Sequence, residues 1–394
     1  AALEESLRLH LTSDVPLAIF LSSGVDSTAV ANLAQRVSGD RVHTFTLAFE
    51  SASMNEGPWA RRIAEAIGSA HHEVVLTEHA FVENLEAAVD SLDQPTFDGL
   101  NAYYMSLAIR RAGFKVALVG TGGDELFGGY RSFRDLPLLA SGTGWLPRSL
   151  RQALGATSGG LLGLRARSLP FPPQTRWAKL GEMIRSADDL LSLYQLAYAL
   201  FLPDTSEELL DRDFAGVPRD GLPAAARERI LDETARRSPL SALSVMETRL
   251  FLGERLLRDN DVASMAASIE QRLPLVDQEL FAAVDAMTDS ERYEPVGAKA
   301  VLRRIGLRGL PPELFQRPKQ GFELPYAAWM RKGLRGALDA ALLDPAAVRA
   351  AGLEPKAVER LWRAYLAGAP GLYWSRIWAI FVLVRWCARH GVAR

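Results

Sequence analysis

At 394 residues, with 48% hydrophobic and 23% charged residues and a net charge of −2, the chain has the composition of a globular enzyme. It holds enough apolar material for two domains, or for one domain with a large helical extension. So balanced a charge supplies no global attraction to nucleic acid or to an anionic membrane, and neither is expected as a partner. The single cysteine, Cys387, excludes an internal disulfide framework and any CxxC chemistry, and a reducing, cytoplasmic setting is expected.

The amphipathic opening "ALEESLRLHL" reads as a helix and lacks the order of a signal peptide. From Pro16 to about residue 130, apolar runs alternate with helical stretches: "PLAIFL" reads as a strand, "DSTAVANLAQRV" as a helix, "VHTFTLAF" as a strand, "GPWARRIAEAIG" as a helix and "HHEVVL" as a strand. Helices around 80–92 and 101–112 precede the strand "KVALVG". This alternation predicts βαβ units and a parallel sheet with helices on both faces. Ligands of such sheets bind outside the carboxyl ends of strands, where the strand order reverses.

From 135 to 175 the composition turns to Gly, Pro, Leu and Arg, which reads as a mobile connection or peripheral helices. Beyond it the pattern is almost wholly helical. The run "IWAIFVLV" at 377–384 is far shorter than the roughly 20 residues of a membrane span and reads as a buried helix. The expected organisation is an α/β core over 1–135, an irregular and helical insertion over 136–240, and a helical region over 241–394.

Two polar loops carry the chemistry. In "LSSGVDST" the residues Ser22, Ser23 and Gly24 form the turn after the first strand, while Asp26 and Ser27 open a helix. Hydroxyls, helix-start amides and the dipole suit a pyrophosphate. Asp26 is unfavourable beside phosphate unless a cation bridges them, which points to Mg²⁺. Without a bound group, Asp26 and the serines read as ordinary helix-start residues. The stretch lacks the lysine of GxxxxGK[ST], and GxGxxG occurs nowhere. The second loop, "VGTGGDELFGGY" at 119–130, follows another strand and brings Asp124 toward the same cation, its glycines allowing close backbone approach.

Together "LSSGVDST" and "GTGGDELFGGY" resemble the ATP-pyrophosphatase loop and the second acidic loop of the asparagine synthetase family, usually SGGxDSS and GxGxDELFGGY. "HHE" at 71–73, "DQP" at 93–95, "SMAASIEQRLPLVD" at 264–277 and "LPPELFQRPKQGFELP" at 310–325 extend the resemblance, in order, over most of the chain. It implies the C-terminal synthetase domain of the glutamine-hydrolysing type, of the PP-loop fold. The implied reaction uses ATP and Mg²⁺ to adenylate a carboxylate such as aspartate, and ammonia then forms the amide. Carried over, Ser22, Ser23, Gly24, Asp26 and Ser27 hold pyrophosphate, Asp26 and Asp124 bind Mg²⁺, and Leu21, Leu47 and Gly120 line the adenosine side. Lys319, in "RPKQGF", faces the phosphates and the adenylation transition state, where charge develops.

A glutaminase domain or subunit supplying the ammonia is expected upstream, and self-association is left open. Thr121 stands where aspartate-using members carry an acid, so a sugar acid or other acceptor is the first alternative, unless Glu254 or Asp261 supplies the missing charge. A nucleic-acid-modifying PP-loop enzyme is the second alternative. His71 and His72 point to opposite faces of a strand and read as structural. Glu270 and Arg272 read as an ion-pair element, and Cys387 as an inert core thiol.

Overall fold

The structure is a computed structural model that describes residues 1–50, 55–166, 171–211, 221–316 and 323–391. Five strands form one all-parallel sheet in the order β3-β2-β1-β4-β5: β1 Leu17–Phe20, β2 His43–Ala48, β3 Ala70–Val75, β4 Val116–Leu118 and β5 Glu270–Arg272. Ala18 on β1 is opposite both His43 on β2 and Ala117 on β4, so β1 is the central strand. The chain leaves β1 toward β2 and β3 on one side and returns to β4 and β5 on the other. The order therefore reverses between β1 and β4, and the loops after these two neighbours open into one crevice.

Helices cover both faces. The helices α1 (Ala2–His10), α2 (Val25–Val37) and α3 (Gly57–Ile67) pack Leu7, Val30, Leu33 and Ile63 on one face, with Leu302 from the later chain. On the other face α6 (Gly99–Arg111) sets Ile109 against Phe45, Phe114 and Ile269. Burial on both sides explains why "LAIF" of β1 is wholly apolar. The stretch read as one helix over 80–92 is two, α4 (Glu78–Glu83) and α5 (Leu85–Asp90), broken at Asn84. There the Asn84 amide donates to the Ala80 carbonyl at 2.8 Å and competes with helix continuation.

The later chain is helical with one correction: "EQR", inside the stretch expected to be helical, is β5. Its edge-strand pairing to β4 overrides the helical neighbourhood, since the preceding Ser268 takes a positive φ of 56° and turns the chain into the sheet. Arg272 Nε donates to Glu270 Oε1 at 2.7 Å, the ion pair expected there. On β3, His71 Nδ1 lies 3.0 Å from Thr44 Oγ1 while the His72 ring stacks on Phe45 on the opposite face. From Glu247 to Leu257 the chain is π-helical, with wider turns than the regular helix its pattern predicts.

The chain divides into two compact units. The first comprises Ala1–Asp93, Asp98–Tyr130 and Glu247–Pro325, and contains the sheet. The second comprises Gln94–Phe97, Arg131–Met246 and Tyr326–Arg394. It is helical, including Ser132–Thr143 and Arg148–Ala166 in the Gly- and Leu-rich stretch. Its closing helix, Trp374–His390, buries Trp378, Phe381, Val382 and Cys387, and burial raises the Cys387 thiol pKa. No helix among the described residues is long and apolar enough to cross a membrane.

Candidate functional site

The first unit holds a cavity of about 710 Å³ at the carboxyl ends of β1 and β4. Leu21, Ser22, Ser23, Gly24, Asp26, Ser27, Leu47, Gly120, Thr121 and Asp124 all line it. The fold thus brings together the residues singled out in the sequence, from two loops and from strand β2, across as many as 103 positions of chain. Lys319 and the rest of "RPKQGF" lie outside the described residues.

The first loop is organised by its own hydroxyls. Ser22 Oγ and Ser27 Oγ are 2.8 Å apart, the Ser22 amide donates to Ser27 Oγ at 3.1 Å, and the Gly24 amide donates to Ser22 Oγ at 3.1 Å. Gly24 is the N-cap of α2, which puts Asp26 in the first helical turn. Ser23 donates its amide and its hydroxyl to the Glu56 carboxylate, at 3.3 and 2.9 Å.

The second loop crosses the first at van der Waals contact. A Cβ on Gly120 would stand 2.6 Å from the Ser27 amide nitrogen, and one on Gly123 would stand 2.6 Å from the Asp26 carboxylate. At Gly120 a side chain would meet backbone, and at Gly123 it would displace the Asp26 carboxylate. Beyond Gly122, the short helix α7 (Gly123–Phe127) carries Asp124 and Glu125, and the Arg292 guanidinium pins it by donating to the Leu126 carbonyl at 2.8 Å.

Asp26 and Asp124 converge on one point. That point is the ammonium of Lys299, which donates to Asp26 Oδ1 and Oδ2 at 2.6 and 2.7 Å and to Asp124 Oδ1 at 2.8 Å. Lys299 is 6% exposed and the two aspartates 17% and 13%, so the cluster is shielded from water. Burial alone would depress the Lys299 pKa, but the two carboxylates hold it above the ordinary lysine value. The lysine adopts a left-handed backbone, φ 52°, at the start of the helix Ala300–Gly306. For a residue with a side chain this costs on the order of 1–2 kcal/mol.

The same three carboxylate oxygens test the fit of a metal. They are hard oxygen donors converging on a single cationic centre, the donor type that Mg²⁺ takes, at the longer distances of an ammonium's hydrogen bonds. No group of three or more His, Cys, Asp or Glu side chains placed to hold a metal ion occurs among the described residues, so a cation here would have two carboxylate residues as its protein ligands. Two carboxylates with the remaining positions left to phosphate and water is the usual protein share of a Mg²⁺ site.

Glu125 also lines the cavity and is 1% exposed. Burial, reinforced by the negative charge of Asp124, pushes its carboxyl up to about 8, so it is mostly protonated near neutral pH. Tyr130 donates to its Oε1 at 2.9 Å, and Phe251 from the π-helical segment packs edge-on against the Tyr130 ring. Asn101, Met105, Leu256, Asn260 and Gln271 also line the cavity, and Gln271 Nε2 donates to Ser106 Oγ at 3.0 Å. Neither Glu254 nor Asp261, weighed as substitutes for an acid at position 121, lines the cavity.

Sequence reasoning missed Lys299, Glu56 and the burial of Glu125. A signal for Lys299 existed: only six of the 45 basic residues are lysines, and a chain that otherwise uses arginine spends an ammonium where a compact point charge is needed. Nothing in "NEGPW" marks Glu56, which reaches Ser23 only through the fold.

The family description Asparagine synthase matches residues 1–388. The chain is 31% identical over 391 residues to a putative glutamine-hydrolyzing asparagine synthetase of Mycobacterium tuberculosis, covering 98% of this chain and 57% of that protein. It is 25% identical over 334 residues to asparagine synthetase 1 of Bacillus subtilis, covering 84% of this chain and 50% of the relative. It is also 27% identical over 360 residues to amidase chyE of Penicillium rubens, covering 82% and 52%. The chain thus spans little more than half the length of these relatives. With a match over nearly its whole length, the chain belongs to the asparagine synthase family.

Proposed function

We propose that the chain is the synthetase part of an amide-forming ligase. It activates a carboxylate with ATP, releasing pyrophosphate, and passes the acyl adenylate to ammonia. The observation that carries this reading is the convergence of Asp26 and Asp124, from two strand-end loops, on one cationic point inside the cavity. Acids at that place are unfavourable for a polyphosphate unless a cation joins them, and two carboxylates match the protein share of a Mg²⁺ site.

In this reading Leu21, Leu47 and Gly120 flank the adenosine, and Ser22, Ser23, Gly24 and Ser27 hold the β- and γ-phosphates. Asp26 and Asp124 hold Mg²⁺, which when bound neutralises charge on the leaving pyrophosphate. A carboxylate oxygen of the acceptor attacks the α-phosphorus, and the bond from that phosphorus to the bridging oxygen breaks. Lys319, carried over from the family motif, receives the developing charge on the pyrophosphate. Ammonia then attacks the acyl carbon, and AMP leaves with the electron pair of the acyl–oxygen bond. A glutaminase domain or subunit is the proposed ammonia source, as in the names of the glutamine-hydrolyzing relatives.

Aspartate is one candidate acceptor. Thr121 favours a second reading with the same chemistry and a different acid, for example a sugar acid, and the amidase relative is compatible with it. The test is product analysis: with ATP, Mg²⁺, ammonia and a suitable acid, AMP and pyrophosphate should accumulate in equal amounts. ADP and orthophosphate would overturn the mechanism.

A further inference from the structure

We infer that Lys299 is a resident cation that keeps divalent metal out of the site until ATP brings it, so that metal binding depends on nucleotide. The inference rests on the reading of the cavity as a Mg²⁺–ATP site. The Lys299 ammonium occupies the meeting point of the two acids, with three oxygen contacts at 2.6, 2.7 and 2.8 Å. A divalent ion bridging Asp26 and Asp124 needs that same volume. Hard-cation coordination and the ammonium are mutually exclusive there.

Charge points the same way. With Lys299 in place the three side chains sum to −1; with it withdrawn they sum to −2. The ammonium is within about 3 Å of each acid, among side chains that are 6 to 17% exposed, where a unit charge changes cation affinity more than it would in bulk water. A free metal ion must displace this ammonium unaided. A metal ion carried by ATP arrives with anionic oxygens, which give the displaced ammonium a new partner. The flexible four-carbon stem lets Nζ swing toward those oxygens while the backbone of Lys299 stays where it is.

The anionic half of the ligand has a protein counterpart too. Glu56 accepts from the amide and hydroxyl of Ser23, at 3.3 and 2.9 Å, on the loop assigned to the phosphates. Without ATP the cavity thus carries an ammonium where the metal belongs and a carboxylate on the phosphate loop. This internal set of charges keeps the buried acids and loop donors satisfied, and one incoming ligand of the same charge pattern replaces it.

Mn²⁺ serves as the probe, with free ion counted by electron paramagnetic resonance, in the presence and absence of the non-cleavable analogue α,β-methylene ATP. The wild-type chain should bind no Mn²⁺ tightly alone and one Mn²⁺ with the analogue. Lys299→Met should bind Mn²⁺ without nucleotide at least about tenfold more tightly than wild type, as expected for removing a unit positive charge a few ångströms away. Adding Asp124→Asn to Lys299→Met should abolish the gain, and Lys299→Gln repeats the measurement should the methionine variant fold poorly. Wild type binding Mn²⁺ equally well with and without the analogue would overturn the inference and leave the metal–ATP reading standing. Absence of Mn²⁺ binding even with the analogue would overturn both.

Discussion

The backbone of Gly123 passes so close to the side chain of Asp26 that a β-carbon on it would lie 2.6 Å from the carboxylate carbon and from Oδ1. The two acidic loops are therefore in direct contact, and the position of one acid is set by the absence of a side chain on the other loop. Gly123→Ala should push the Asp26 carboxylate aside, or shift the start of α7 and with it Asp124. We expect a stability loss of about 1–3 kcal/mol, typical of overpacking, together with loss of most ATP-dependent turnover. Chemical denaturation and pyrophosphate release read the two effects. A fully active, equally stable Gly123→Ala variant would show that the close approach is not needed.

Asp26 and Asp124 share one cationic partner, so they should behave as one unit in catalysis. Asp26→Asn and Asp124→Asn should each cut turnover by about 10² or more, the loss typical of removing one strong electrostatic stabiliser. The double variant should be little worse than either single. Losses that multiply would assign the two acids separate tasks.

The α/β core and the loop positions were legible from residues alone because they follow from short-range chemistry. The short apolar run "LAIF" between turn residues reads as a buried strand, and the serines, glycine and aspartate after it, which alone read equally as helix-start residues, gain meaning beside the second acidic loop. That both loops lie at carboxyl ends of strands also followed, while the pairing that puts β1 beside β4 and brings the loops into one crevice is seen only in the fold. Long-range placement was not legible. Lys299 reaches Asp26 across 273 residues of chain, and its residue neighbours, "VGAKAVL", give no hint of acids at 2.6 Å. The strand β5 was hidden for the same reason, as three polar residues become a strand only through pairing to β4.

Lys319 is proposed to act on charge that appears in the transition state, and a test can separate it from simple nucleotide recognition. Lys319→Ala should lower kcat with a smaller change in KM for ATP. Normal kcat with weakened ATP binding would reassign it to the ground state.

Glu125 makes stability depend on pH with a definite sign. Burial and the neighbouring Asp124 raise its carboxyl from an ordinary 4.5 to about 8 in the folded chain. The folded protein thus binds a proton that the unfolded chain has already lost. This contribution is complete below about pH 4.5 and is lost as pH rises through about 8. Glu125→Gln keeps the shape and removes the titration. In urea unfolding at pH 5, 7 and 9, wild type should fall relative to Glu125→Gln by a few kcal/mol across the series. Parallel profiles would show that the carboxyl ionises freely in the folded protein.

Thr121 is proposed to decide which acid is activated. It lines the cavity between Gly120, against the first loop, and the turn that carries Asp124. An acid at this position would favour an acceptor's ammonium group or take up a proton from ammonia. Threonine offers a hydroxyl with one donor and two acceptor sites and no charge. The other acid on the same loop, Glu125, is held largely neutral by burial and by Asp124, so it does not restore a carboxylate near pH 7. Glu254 and Asp261 do not line the cavity. The same cavity is lined by Tyr130, Phe251, Leu256 and the amides of Asn101, Asn260 and Gln271, surfaces that suit a neutral, partly apolar group. Aspartate should therefore be a poor acceptor, and an acid without a neighbouring α-amino group a better one. Ammonia-dependent pyrophosphate release is measured with aspartate and with a panel of uronic and other acids, for wild type and for Thr121→Glu. Thr121→Glu should raise the use of aspartate relative to the panel. Efficient asparagine formation by wild type, with no gain from the glutamate, would defeat the altered-acceptor reading while leaving the ATP chemistry intact.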